Sequence, residues 1–269
     1  MSINKHIRDN IVGVFGSIYI SIAGVDEQLC HGFSSRSSMT KWKSLKYILT
    51  KTALLREFYT AEKGRRLEIS SLFFGSKSGV KWAKEYNEEG FDYPKHSKQK
   101  VVFQWLSEIL EGEPLSVHEI GTSSGRQSAF YADKFPNSTF VGSDVFDEVV
   151  QYCGLYHKHK NLSFIKVDAG LSADISKINE DILLVAGSAA YLSENELNTL
   201  YRNVKSRYIF VGEPTSPTIT NKTSVPRGGF QWHHNNRKHL ESNGWKIVKY
   251  KMVEKSGGCW ENVLAEKIR

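Results

Sequence analysis

Short apolar runs alternate with amphipathic stretches along the second half of the chain. Leu115–Ile120 (LSVHEI) predicts a strand, and a Gly/Ser turn leads from it into a helix at Gln127–Lys134. Thr139–Ser143 (TFVGS) predicts a second strand, with a helix through Val149–Leu155 after it. Leu162–Val167 (LSFIKV) predicts a third strand. Ile182–Ala186 (ILLVA) predicts a fourth, followed by a helix from Ser193 to Val204, and Tyr208–Gly212 (YIFVG) a fifth. Apolar strands separated by helices imply a mainly parallel sheet covered on both faces. Right-handed crossovers then bring the strands' C-terminal ends to one edge, where ligands bind at the switch in strand order. The rhythm changes at the end. A helix at Arg237–Asn243 stops at Gly244, and Trp245–Val253 and Trp260–Glu266 read as an antiparallel hairpin joined by Lys255–Gly258. The sheet is therefore expected to end with one reversed strand.

Ahead of Ser97–Lys100 the pattern is helical. Lys41–Tyr59 sets Trp42, Leu45, Ile48/Leu49, Leu55 and Phe58/Tyr59 near helical spacing among Lys43, Lys46, Lys51 and Arg56. It is expected to be either a surface helix packed on the main domain or a cationic helix meeting phosphates or a membrane surface. Gly75–Gly90 reads as a loop leading to a helix at Lys98–Gly112. This divides the chain into a mainly helical region, 1–100, and an α/β domain, 101–269.

A chain of 269 residues with 40% apolar and 24% charged residues is an ordinary globular protein, which excludes fibrous repeats and wholesale disorder. Cys30, Cys153 and Cys259 form no CxxC pair, which argues against a disulfide framework or a Cys-built zinc site and favours a reducing, cytoplasmic setting. No apolar run approaches a membrane span of roughly 18–20 residues. Ile11–Val25, interrupted by Gly13, Gly16, Ser17, Ser21 and Gly24, reads as a buried N-terminal segment rather than a leader. Of the net charge of +7, residues 1–66 carry +6, which points to an anionic partner or substrate for that region.

The richest passage is His118-Glu119-Ile120-Gly121-Thr122-Ser123-Ser124-Gly125-Arg126, at a strand end where a helix begins. A glycine there lets the backbone approach a ligand, and the turn presents N–H groups. The dinucleotide pattern GxGxxG fails at 123 and 126, and no GK[ST] follows to make a phosphate loop. [E/D]xGxGxG fits at Glu119, Gly121 and Gly125, with Ser123 in place of the middle glycine.

From Leu115 to its C-terminus the chain resembles the class I S-adenosylmethionine (SAM)-dependent methyltransferases. Further support comes from Val141-Gly142-Ser143-Asp144, Lys166-Val167-Asp168-Ala169, Asp181–Ser188 and the reversed C-terminal hairpin. The resemblance implies a Rossmann-like, seven-stranded, mostly parallel sheet, with the N-terminal helical region as a cap that contributes substrate contacts. It also implies SAM as cofactor. Asp144, 23 positions after Gly121 and near the ~20 expected of a ribose ligand, would hold the ribose hydroxyls. Asp168 and Ala169 would lie by the adenine, with Glu119 toward the ammonium. Gly121, Thr122, Ser123, Gly125 and Ser188 would line the methionine end. Asp144 could instead cap the next helix, and Asp168 could be a simple turn residue.

Methyl transfer needs an aligned acceptor, a proton acceptor if that group is a hydroxyl, and exclusion of water; no metal is called for. Gly187-Ser188-Ala189-Ala190-Tyr191 differs from the [N/D]PP[Y/F] sequence of amino-group methyltransferases, and no Pro-Cys nucleophile is present. His233 or His234 could serve as general base, with Glu213 as a third candidate. Tyr191 and Trp232 are expected to line the substrate pocket, whereas His157 and His159 look like solvated surface. Short stretches such as Gly212-Glu213-Pro214 and Phe230–Asn235 are similar, more loosely, to sugar O-methyltransferases of bacterial polysaccharide and natural-product pathways. The expected acceptor is a hydroxyl on a sugar or glycosylated small molecule. An RNA acceptor and a non-catalytic SAM-binding protein remain as alternatives, and homo-oligomer formation is left open.

Overall fold

In the computed structural model, the described residues are 14, 16–18, 41–74, 76–88, 97–216, 219, 223–227, 230–255 and 258–268. Most of the apolar run Ile11–Val25 and all of Cys30 lie outside them. Chain contacts divide into two units. One comprises Met1–Gly79 with Gly228–Phe230, the other Val80–Arg227 with Gln231–Arg269.

In the first unit, α1 (Lys41–Phe58) is followed by α2 (Lys63–Phe74). The buried stripe of α1 is Tyr47, Thr50, Leu54 and Phe58, while Leu45 and Ile48 are 45% and 47% exposed. The apolar stripe expected from the sequence is thus rotated, because Thr50 and Ala53 supply buried positions that a count of large apolar residues passes over. Arg65 on α2 donates to Glu57 on α1 at 2.7 Å, and the Phe58 and Phe230 rings meet edge-on at 5.3 Å.

Ser76–Glu88 forms helix α3 where the sequence suggested a loop. Helix-forming Lys and Glu residues, an i,i+4 pair of Lys81 with Glu85 at 3.9 Å and the buried Ala83 outweigh the Ser and Gly residues that suggested irregularity. The second unit takes in α3 from Val80 onward and α4 (Ser97–Leu110).

The α/β part then runs β1 (Ser116–Ile120), α5 (Arg126–Lys134), β2 (Thr139–Asp144), α6 (Asp147–Tyr156), β3 (Leu162–Lys166), α7 (Ser172–Ile175) and β4 (Ile182–Ala186). A 3₁₀ turn (Ala189–Tyr191) follows, then α8 (Glu194–Asn203) and β5 (Tyr208–Thr215). The chain closes with β6 (Ser224–Pro226), β7 (Trp232–His234), α9 (Asn236–Ser242), β8 (Trp245–Lys255) and β9 (Gly258–Lys267). Seven strands form one sheet in the order β3-β2-β1-β4-β5-β9-β8. The Rossmann-like α/β expectation is met: β3 to β5 are mutually parallel, and β9 alone runs against its neighbours. The reversed C-terminal strand expected from the sequence is β9, which inserts between β5 and β8.

Helices cover both faces. Leu106, Tyr131, Phe140, Leu184 and Phe210 belong to one core, and Val185, Leu200, Tyr201, Ile209 and Trp245 to the other. The order reverses at β1 and β4, whose C-terminal ends carry the turns at Gly121 and Gly187. No described helix is long and apolar enough to cross a membrane.

Trp245 is 1% exposed, and its Nε1–H donates to the Tyr201 carbonyl at 2.8 Å. Trp245→Ala should therefore cost about 3–5 kcal/mol of stability, read from urea unfolding.

Candidate functional site

Gly121 and Gly125 have φ of +68° and +73°, a left-handed conformation that favours glycine. A Cβ at Gly121 would collide with Ser188 Cβ, so the turns after β1 and β4 touch through this glycine. Ser123 also has positive φ, +51°. The middle position of the motif thus keeps its left-handed backbone without a glycine.

The turn is braced on several sides. Thr122 N donates to Ser143 O at 2.8 Å and Ser123 N to Asp144 Oδ2 at 3.2 Å. Cys153 Sγ donates to Ser123 O at 3.1 Å, while Asn87 Nδ2 at 3.1 Å and His157 Nε2 at 2.9 Å converge on Ser124 O. Glu119 lies buried and accepts from the hydroxyls of Thr122 and Ser128. Burial pushes its carboxyl up to about 7. His157 corrects the reading of it as solvated surface: it is half-buried because its imidazole packs over Gly125 and Phe164. His159 pairs with Asp133 at 3.0 Å.

Asp144 ends β2 beside this turn. Its Oδ1 accepts from Phe146 N at 3.2 Å and its Oδ2 from Ser123 N, and the Val145 amide is a third backbone donor to the carboxyl. Desolvation raises its pKa. Asp168 follows β3 and closes a turn by accepting from Gly170 N at 2.9 Å, next to the buried Ala169. Ser188 Oγ is buried and has no partner among the described residues.

Glu213 on β5, 1% exposed, ties that strand to the turn after β4. Its two oxygens accept from Ala189 N at 2.8 Å and Ala190 N at 3.3 Å, so the carboxyl is committed to backbone amides. Burial raises its pKa to about 8.

Part of what read as a polar loop after Pro214 is ordered as a ribbon in which β6 pairs with β7, Ser224 opposite His234, Val225 opposite His233 and Pro226 opposite Trp232. Side chains alternate across it. Trp232 and His234 face inward and are buried. His234 donates from Nε2 to Leu192 O at 3.0 Å, and its Nδ1 meets Ser224 Oγ at 2.7 Å. With both nitrogens engaged, burial lowers its pKa to about 4. His233 faces the other way, half-buried, with Nδ1 at 3.4 Å from Pro214 O; burial lowers its pKa too. Tyr191, 38% exposed, hydrogen-bonds with Gln231. Among the described residues no His, Cys, Asp and Glu cluster could hold a metal ion.

Solved structures share this fold. Human N-acetylserotonin methyltransferase in complex with SAM superposes with a TM-score of 0.54 at 13% identity, covering 84% of this chain and 70% of its own. The chain has the class I methyltransferase fold. Magnesium protoporphyrin IX methyltransferase from Synechocystis PCC 6803 with bound S-adenosylhomocysteine (SAH) gives 0.52 at 15% identity, covering 75% of this chain and 99% of its own. The Burkholderia thailandensis 1,6-didemethyltoxoflavin-N1-methyltransferase gives 0.50 at 13%, covering 71% and 87%. No family model and no curated protein matches the chain by sequence.

Around the turn the structure thus gathers Glu119, Gly121, Thr122, Ser123, Gly125, Asp144 and Ser188. His233 and Tyr191 stand on the neighbouring loops, while His234, Trp232 and Glu213 face inward. Sequence reading missed Asn87 and Cys153 as braces of the turn. Neither sits in a motif, and only the packing of α3 and α6 brings them there.

Glu119 and Glu213 hold protons in the fold up to about pH 7 and 8 but lose them near 4.5 when unfolded. Between pH 6.5 and 8 the folded state therefore binds more protons, and stability should fall as pH rises, by up to about 1.4 kcal/mol per unit for each group. His234 contributes little in that window, since its folded pKa of about 4 lies well below it and its unfolded one at its edge. Urea unfolding across the window should show the decline, and Glu119→Gln should flatten it.

Proposed function

We propose that this protein is a cytoplasmic SAM-dependent methyltransferase acting on a hydroxyl of a sugar or glycosylated small molecule. The observation that carries the cofactor is the cradle at Gly121. Gly121 takes a left-handed backbone wedged against Ser188, the buried Ser188 hydroxyl lacks a partner among the described residues, and Asp144 stands beside the turn as a half-buried carboxyl. These features fit a ligand with vicinal hydroxyls and a flexible polar arm. Asp144 would hold the ribose, Asp168 and Ala169 the adenine edge, and the turn with Ser188 the amino-acid end. Glu119 would act through the turn it braces. When bound, SAM supplies a methyl group on a cationic sulfur.

His233 is the proton acceptor in this reading. Its Nδ1–H points at the Pro214 carbonyl, which leaves Nε2 as the basic nitrogen, and burial keeps the ring neutral near pH 7. An acceptor hydroxyl bound against Nε2 would lose its proton to that nitrogen. Tyr191, steadied by Gln231, walls the acceptor side, while Trp232 and His234 anchor the ribbon from its buried face. Glu213 fixes the turn after β4 by holding its amides. The free thiols of Cys153 and Cys259 support a reducing compartment.

Asp144→Ala should weaken SAH binding by about 100-fold in calorimetry, as expected for two lost charge-assisted hydrogen bonds, with the circular dichroism unchanged. Unaltered affinity would overturn the assignment. His233→Gln should lower kcat by about 10²–10⁴-fold while SAH affinity holds.

A further inference from the structure

The ribbon that carries His233 also carries a guanidinium that no acid answers among the described residues. Beyond the Val225–His233 pair, Arg227 N donates to Gln231 O at 2.8 Å, so the register continues. Residues two apart on a strand share a face, which puts Arg227, Gln231 and His233 together on the side opposite His234. There Arg227 Nη1 donates to Gln231 Oε1 at 3.1 Å, and Gln231 in turn hydrogen-bonds with Tyr191. Arg227 is exposed, and among the described residues no carboxylate lies within ion-pair distance of it. Its charge nevertheless reaches the ring of His233, where it adds to burial in disfavouring the protonated form.

That arrangement conflicts with a neutral acceptor. A histidine that takes a proton becomes a cation, and a neighbouring guanidinium opposes it. A ligand anion on the guanidinium removes the opposition and leaves the imidazolium in balanced surroundings. A planar guanidinium with one N–H spent on an amide retains further donors in the fork that matches carboxylate and phosphate oxygens.

We propose that Arg227 binds an anionic group of the acceptor, a carboxylate or a phosphate, so that the methylated hydroxyl belongs to an acidic sugar or glycoside. Gln231 holds the fork in place and links it to Tyr191, making Arg227 a specificity residue rather than a proton-transfer group. The name of the acceptor rests on the methyltransferase reading; the anion site does not. The basic excess of residues 1–66 is an independent sign of an acidic substrate.

The full chain is treated with phenylglyoxal in sodium chloride, sodium phosphate or sodium acetate at equal ionic strength, and modification is followed by mass spectrometry. Phosphate or acetate should slow labelling of Arg227 at least about 3-fold, the stronger protector naming the group. Arg207, already paired with Glu113 and Glu266, serves as the internal reference. Equal rates at Arg227 in all three salts would overturn the site. In a second arm, labelled SAM is incubated with the low-molecular-weight fraction of a cell extract. The labelled product should be retained on an anion-exchange resin at pH 7; a product in the flow-through would refute an acidic acceptor. With the retained acceptor fraction, Arg227→Gln should raise KM about 10-fold or more with kcat within about 3-fold, and Arg227→Lys should restore part of it. SAH calorimetry on the same protein separates the two ideas, since loss of that binding alone would sink the methyltransferase reading and leave the labelling to decide the anion site.

Discussion

A five-residue turn held from all sides sets the geometry of this protein. Gly121–Gly125 makes hydrogen bonds to β2, α3, α6 and the end of α6, and it is wedged against Ser188 at the start of the neighbouring turn. Three of its residues adopt left-handed backbone. For Ser123 that conformation costs roughly 1–2 kcal/mol, and it persists because its N–H and C=O are both fixed. A rigid turn of this kind keeps amides and hydroxyls pointed at one place before any ligand arrives, so little ordering is left for binding to supply.

The segments after β4 and β7 are held by a different device. Glu213 on β5 and Glu261 on β9 stand directly opposite each other, and both are almost fully buried. Glu213 holds the amides of Ala189 and Ala190; Glu261 holds those of Asn236 and Arg237 at the start of α9. Two carboxyls on one rung thus fasten the segment after β4 and the segment after β7. Burial raises the pKa of each, which relieves the repulsion that two charges would suffer in so little water.

The centre of the sheet was legible because β4 and β5 are almost wholly buried: ILLVA and YIFVG admit few other readings, and the Gly/Ser turn marks the end of β1. Asp144, Gly121 and Ser188 were legible for the same reason, since they sit at fixed offsets from strands. The choice between His233 and His234 was not. They are adjacent in sequence, and only the pairing of β6 with β7 turns one inward and the other outward. Arg227 was equally hidden, because its significance depends on Gln231 across the ribbon. α3 was misread because Ser and Gly near its start obscured the Lys81–Glu85 pair that helps hold it helical.

The placement of β9 has a consequence for how the molecule assembles. β8 leaves the chain before β9 yet reaches the sheet only through it, since β9 alone touches β5. β8 and β9 pair across a short link, whereas β9 pairs with β5 across about 50 residues of sequence, a long-range contact. Until it docks, β5 presents an unpaired edge to its surroundings. Lys246 and Lys251 along β8 put positive charge on the finished border, poorly suited to pairing with another chain, while Lys249 is paired with Glu108.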